Sequence, residues 1–386
     1  MQKFLKENMD FVILALLAAF SSLLFWGLMA VGAGQVLGLP ETNLLTVAAN
    51  YDGPNYMVIA KCGYQPECIR SSFSLPLPLE YYPAHWPGYP LLVRVVDVFL
   101  PGPLAMLVVT FLGSLFFLWF FGRLAGDIWG KKRAFWLCLV ALFLPGRFFV
   151  LRMVGAPETW FLASVVASVY YFRREKFGLA ALWAIWAQAL KSPGILLFAS
   201  YGIWALVQIW KEGGEEKVRA GKKLILKMWP LLLAPLTIVL VFGLYAWQTG
   251  NFWAYFSSGD NFHLYPLPFL TFISTKSWIN GIWLEDIVWI YLVMGTAVSV
   301  LRKKFKDDIL FIFPALFLAI TLFVGHRDIA RYVAPVYPFA ILAFGKTLTR
   351  KSWRPVFWLI LPAIFIYAFN FVAGNTAPVA DWTPYL

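Results

Sequence analysis

Long apolar runs separated by short polar turns make up most of this chain, and their lengths set its class. The first runs from about Phe11 to Gly32 and exceeds the roughly twenty residues a helix needs to cross a bilayer. It is also longer than a signal-peptide core, although Ala30-Val31-Gly32-Ala33 faintly resembles a cleavage site, so it reads as an uncleaved signal anchor. Further spans fit near 104–122, 134–150, 157–172, 177–190, 194–210, 228–248, 284–301, 309–324, 332–348 and 355–373. The pattern therefore predicts an all-α polytopic membrane protein of about eleven transmembrane helices, with residues 1–386 as a single membrane domain.

One segment breaks the pattern. Residues 34–102 are polar, aromatic and proline-rich, and long loops in compact proteins tend to carry function. Within them an amphipathic piece near Leu44 to Ala60 is predicted to lie along the membrane interface. The stretch after Tyr89-Pro90-Leu91-Leu92-Val93-Arg94 is too short and too charged, with Arg94 and Asp97, to span; it reads as re-entrant or interfacial, closed by Pro101-Gly102-Pro103. The loop also holds Asn50-Tyr51-Asp52-Gly53-Pro54-Asn55-Tyr56. Glycine permits a tight turn and proline suits a first helical position, so Asp52 is expected at or just before a helix N-terminus, at the water boundary. Two readings stand for it: a helix cap, or a carboxylate with chemistry to do.

Composition agrees with the membrane reading: 61% hydrophobic and only 13% charged residues exclude an ordinary soluble domain. The formal charge of +12 does not point to nucleic acid, because the basic residues fall in short clusters between apolar runs. With the N-terminus inside, those clusters (Lys3/Lys6, Arg123 to Arg133, Arg173 to Lys176, the basic loop 211–227, Arg302 to Lys306 and Lys346 to Arg354) gather 23 of the 32 Lys and Arg on the cytoplasmic side. That bias sets orientation and puts Asp52 on the extracytoplasmic face. Three cysteines make neither a disulfide scaffold nor a zinc set; Cys62 and Cys68 share the long loop, where a disulfide and a reduced pair are both open.

Ionisable residues left on the outer side near span ends are costly unless they work or pair. Lys191-Ser192-Pro193-Gly194 puts a cation in a broken-helix turn at membrane level, and His326-Arg327-Asp328 with Arg331-Tyr332 gathers three more candidates in one turn. These are the groups a polyprenyl phosphate would need, arginine as a bidentate fork and lysine as a point charge. The alternative is that they snorkel to headgroups, with Arg327 and Arg331 paired to Asp328. Glu158, after Pro157, reads equally as a site carboxylate or as a residue stabilised by its helix dipole. Tyr81, Tyr82, His85, Trp86 and Tyr89 suit either sugar stacking or the interfacial aromatic belt.

Tyr51-Asp52-Gly53-x-x-Tyr56-x-x-Ile59-Ala60-x-x-Gly63-Tyr64 resembles the Trp-Asp-Gly segment of the phosphatidylinositol-glycan class V type mannosyltransferases, members of the GT-C class of integral-membrane glycosyltransferases. The resemblance continues in order through Tyr82-Pro83 to Arg94, Pro157-Glu158-Thr159-x-Phe161, Lys191-Ser192-Pro193-Gly194 and Arg331-Tyr332-Val333-x-Pro335, covering roughly residues 50–340. Tyr51 stands where that family usually has Trp, Asn55 where an aromatic or His is common, and Lys191 where it has Arg. The resemblance implies a GT-C-like fold and inverting transfer of a sugar, mannose by the family, from a polyprenyl-phosphate donor to a hydroxyl on a lipid, glycan or protein acceptor. In that reading Asp52 is the general base. Lys191, Arg327 and Arg331 stabilise the departing phosphate with His326 contributing, and Glu158, His85, Tyr56 and Tyr332 bind substrate.

No Gly-rich phosphate loop, His-rich set or outer Asp-x-Asp pair appears, so no cofactor is implied and a divalent metal is not required. The expected location is a prokaryotic cell membrane, or the endoplasmic reticulum membrane in a eukaryote. Two other classes compete: a flippase or transporter of lipid-linked sugars, which should show two similar halves, and a non-catalytic subunit of an envelope-assembly complex. The long loop occurring once, after the first span, favours an enzyme.

Overall fold

The computed structural model describes residues 9–74, 77–212, 216–258, 263–273 and 281–386; Lys3, Lys6 and the centre of the basic loop at 213–215 lie outside them. Among the described residues the chain is helical, with no β-strand beyond the isolated bridges Asn50–Thr376 and Leu264–Val324. Six stretches are long and apolar enough to cross a membrane: Met9–Ala30, Pro103–Trp129, Ser192–Lys211, Gly221–Thr249, Leu284–Phe305 and Lys351–Gly374. A seventh arises if Lys131–Phe143 and Gly146–Met153, bent by 73° at Pro145, form one broken span. The molecule is thus a polytopic helical membrane protein with six or seven candidate spans, where the hydropathy pattern predicts eleven.

The difference lies in four expected crossings. Glu158–Phe172, Phe177–Leu190 and Ile309–Thr321 have 15, 14 and 13 residues, about 20 Å each at 1.5 Å per residue, short of a bilayer core. The region expected at 332–348 is broken into Ile329–Tyr332, Tyr337–Ala343 and Gly345–Leu348 with a 3₁₀ turn between. Protein rather than lipid surrounds the first of these: every residue of Glu158–Phe172 except Trp160 and Tyr171 is buried. Its small residues Ala163, Ser164, Ala167 and Ser168 let neighbours approach closely. Gly113 of the Pro103–Trp129 helix makes the same approach, since a Cβ there would lie 2.4 Å from Thr159 Oγ1. Thr159 Oγ1 donates to Thr110 O (2.9 Å), Trp160 Nε1 to Val109 O (2.7 Å) and Ser168 Oγ to Ala180 O (2.7 Å).

The bundle has two chemically distinct ends. At one, Arg173 pairs with Asp308, Arg174 with Asp127, Lys211 with Asp307 and Lys227 with Glu175. The other gathers the loop of residues 34–102, the C-terminal tail and the polar cluster described below.

That loop contains α1 (Leu44–Ala48), α2 (Gly53–Cys62), α3 (Pro66–Ser72) and α4 (Gly88–Asp97). The expected interfacial piece at 44–60 is instead two helices broken at Asn50–Asp52, and every residue of α2 except Lys61 is buried. The reason is packing: Tyr56, Met57, Val58 and Ile59 are apolar all round the helix, so it sinks into the bundle. The helix α4 buries Tyr89 and Val93 and exposes Leu91, Val95 and the following Val98 and Phe99. Cys62 and Cys68 form a disulfide joining α2 to α3. The tail returns to cover the loop: Ala377 N–H donates to Ala49 O (2.8 Å), Lys61 Nζ to Pro384 O (2.9 Å), and Tyr385 is buried.

Candidate active site

Backbone geometry first decides what Asp52 does. Tyr51 adopts φ +51°, the left-handed region that few residues with a Cβ occupy, and reverses the chain between α1 and α2. Gly53 follows because nothing else fits: a Cβ there would lie 2.2 Å from Ala48 O. Pro54 occupies the first turn of α2, yet the Asp52 side chain makes no capping hydrogen bond. Its carboxylate turns instead toward two groups from distant segments. His85 Nε2 lies 3.4 Å from Oδ1, and Arg331 Nη2 donates to Oδ2 at 3.3 Å. Burial pushes this carboxyl up, but the adjacent His85 and Arg331 outweigh that and hold it well below the usual carboxylate range.

Arg331 comes from α5 (Ile329–Tyr332), one short turn whose Arg331 N–H is capped by the Asp328 side chain. Its guanidinium bridges two acids, Nε donating to Glu158 Oε1 at 2.7 Å while Nη2 holds Asp52. Glu158 opens its helix after Pro157 and is 1% exposed. The same Oε1 also accepts from Lys191 Nζ at 2.8 Å. Lys191 ends the Phe177–Leu190 helix in extended conformation, and the Ser192–Gly194 turn that follows packs so tightly that a Cβ on Gly194 would meet Gln188 Cα at 2.5 Å. Two carboxylates and two cations from four separate segments, with His85 at one end, therefore form one connected chain: His85, Asp52, Arg331, Glu158, Lys191.

That chain borders a cavity of about 230 Å³. Asp52, His85, Glu158, Lys191 and Arg331 make its polar end; Phe161, Leu162, Leu196, Phe317, Ile320 and Val324 make an apolar wall. Tyr56 and Tyr332 also line it, as does Tyr255, whose hydroxyl donates to Ser192 Oγ at 2.9 Å.

Of the residues singled out in the sequence, Asp52, Tyr56, His85, Glu158, Lys191, Arg331 and Tyr332 converge on this cavity. His326 and Arg327 do not line it. Arg327 is exposed. His326 Nδ1 accepts the Asp328 N–H at 2.9 Å, its ring packs on His263 and Tyr332, and burial, with the positive groups nearby, pulls its pKa down to about 3. It is therefore neutral at physiological pH, and the turn brings one cation to the cavity rather than three. Nor does Asp328 pair with the guanidinium of Arg331; its charge partner is Arg147, Nε to Oδ1 3.0 Å. The site also contains groups that the sequence assigned no part in it, Tyr255 in the wall and Arg147 behind it; Ser192 and Tyr51 stood only as members of their motifs, and Asp328 only as the alternative partner of Arg327 and Arg331.

Among the described residues no group of three or more His, Cys, Asp or Glu is placed to hold a metal ion. No family model matches the chain, and no curated protein matches it.

Proposed function

We propose that this protein is a membrane glycosyltransferase of GT-C-like architecture that moves a sugar, mannose by the resemblance of its motifs, from a polyprenyl-phosphate donor to a hydroxyl acceptor. The observation that carries the reading is the cavity that joins two carboxylates and two cations at one end to an apolar wall at the other. An amphipathic donor needs that combination: cations for the phosphate, apolar surface for the isoprenoid units nearest it, and a carboxylate on the far side of the sugar.

The chemistry is one displacement. The acceptor oxygen forms a bond to the anomeric carbon as the bond from that carbon to the phosphate oxygen breaks on the opposite face, which inverts the centre. Asp52, held ionised by His85 and Arg331, takes the acceptor hydroxyl proton. The phosphate leaves with the electron pair, and Arg331 and Lys191 carry its charge. In the unloaded site both cations are neutralised by Asp52 and Glu158, so a bound phosphate shares Arg331 with Asp52. That sharing weakens the hold on the carboxylate and makes it a better base once donor is present.

We also infer eleven crossings, with the N-terminus cytoplasmic and the cavity extracytoplasmic. In support, each short helix links the two ends of the bundle: Glu158 to Arg173, Lys176 to Lys191, Asp308 to Thr321, and Arg331 to Leu348, whose carbonyl accepts from Trp136 Nε1. The basic ends then fall on the cytoplasmic side, and the Cys62–Cys68 disulfide on the oxidising one.

The test is a panel of polyprenyl-phosphate sugars offered to the purified protein in lipid nanodiscs, with carrier release read by mass spectrometry. Release of polyprenyl phosphate by wild type and its loss in a well-folded Asp52→Asn variant are expected. No consumption of any donor with any acceptor, or unchanged turnover in Asp52→Asn, overturns the assignment; vectorial movement of intact donor across the bilayer favours a flippase.

A further inference from the structure

Behind the cavity, touching none of its space, lies a second polar cluster of Arg147, Asp328 and Tyr51. Arg147 and Asp328 meet with side chains only 12% and 11% exposed. The Tyr51 hydroxyl donates to Asp328 Oδ2 (3.3 Å) and accepts from Arg147 Nη1 (3.3 Å). Arg147 is pinned in turn with its guanidinium 3.9 Å from the Phe371 ring centre.

Both other members of the cluster reach Arg331. Asp328 Oδ1 accepts the Arg331 backbone N–H at 3.3 Å, and the Tyr51 ring lies under the Arg331 guanidinium at 4.3 Å, one residue before Asp52. The left-handed backbone at Tyr51 makes this possible, since it sends ring 51 and carboxylate 52 to the face and the edge of the same guanidinium.

We propose that Arg147 is a positioning residue for the site, acting through Asp328 and Tyr51 to keep Arg331 on Asp52 and Glu158. The reason is charge competition. Asp328 sits three residues before Arg331 on the same turn and is a nearer carboxylate in sequence than either acid Arg331 actually holds. Arg147 neutralises Asp328, so Arg331 is left to the cavity. Without Arg147 a largely buried carboxylate stands uncompensated, which is strongly unfavourable, and Arg331, whose backbone N–H it already accepts, is the cavity cation on the same turn. Its capture by Asp328 strips Asp52 of one partner and the cavity of its arginine.

The inference rests on the transferase reading only for its kinetic arm, so the experiment has two. In the first, donor turnover is compared for wild type, Arg147→Met, Arg147→Lys, Asp328→Asn and the double variant Arg147→Met/Asp328→Asn, each checked for monodispersity and thermal midpoint. Arg147→Met is expected to lower kcat by about ten- to a hundredfold. Arg147→Lys keeps the charge and should recover part of the loss. The double variant removes both charges while the introduced side-chain amide still caps the Arg331 N–H, and it should return to within about fivefold of wild type.

The second arm needs no activity: the rate of phenylglyoxal modification at Arg331, read by peptide mass spectrometry, should fall in Arg147→Met, as Arg331 leaves the cavity for the less exposed Asp328, and recover in the double variant. Additive loss in the double variant, or an Arg331 modification rate that Arg147→Met leaves unchanged, overturns the positioning role. A wild type that consumes no donor overturns the proposed function and leaves the second arm to decide this one.

Discussion

Glu158→Gln separates two roles for the most buried acid of the site. Glutamine keeps the shape and an acceptor oxygen for both Lys191 Nζ and Arg331 Nε, now 2.8 and 2.7 Å from Oε1, but deletes the charge. The cluster of Asp52, Glu158, Lys191 and Arg331 then changes from neutral to +1. Two opposite consequences follow. Folding loses the compensation of a buried cation pair, for which about 3–5 kcal/mol is typical when one partner of a buried pair is removed; with side chains 27% and 16% exposed on Lys191 and Arg331 the lower part of that range applies. Anion binding improves. A phosphate on those cations would sit about 6 Å from the deleted charge, and at an effective dielectric of about 20 the removed repulsion is about 2–3 kcal/mol. That corresponds to roughly thirtyfold or more in affinity. Competition binding of polyprenyl monophosphate, with thermal unfolding on the same preparations, measures both. The expected outcome is a lower midpoint with tighter binding and slower product release. Unchanged or weaker binding of the phosphate would refute the view that Lys191 and Arg331 form its site with Glu158 as their counter-charge.

The pH behaviour of Asp52 follows from its partners. Its pKa in the fold is depressed, so the stability it adds is fully present above the unfolded value of about 4 and is lost as pH falls below that toward the folded value; the gap in thermal midpoint between wild type and Asp52→Asn should not narrow from pH 7.5 to pH 5, and a gap that closes across that window contradicts the pairing. Gly53→Ala places a methyl 2.2 Å from the Ala48 carbonyl oxygen, and the overpacking should cost about 1–3 kcal/mol or more, read as lower yield and midpoint; a wild-type midpoint counts against the tight turn. Removing the tail after Gly374 deletes the partners of Ala49 and Lys61 and the buried Tyr385. Limited proteolysis within residues 34–102 should then accelerate and turnover fall, while unchanged protection would show that the loop holds itself.

What the sequence determined alone is what short-range physics controls. Apolar runs dictate helices buried in lipid or protein, Gly53-Pro54 dictates a turn opening a helix, and Lys191-Ser192-Pro193-Gly194 dictates a break; all three are present. Span count was not determined in this way. Hydropathy scores a run without knowing its neighbours, and Glu158–Phe172 is apolar because other helices enclose it. The loop at 44–60 misled because an apolar face looks alike whether it meets lipid headgroups or a bundle.

Pairing belonged to the tertiary structure entirely. Asp328 is nearest Arg331 in sequence, yet Arg331 holds Asp52 and Glu158, 279 and 173 residues away, because Arg147 already occupies Asp328. His326 lost its charge to burial among rings it meets only in the fold. A side chain's type and its place near a span end are local properties; which opposite charge it finds, and whether water reaches it, depend on segments brought together from the whole length of the chain.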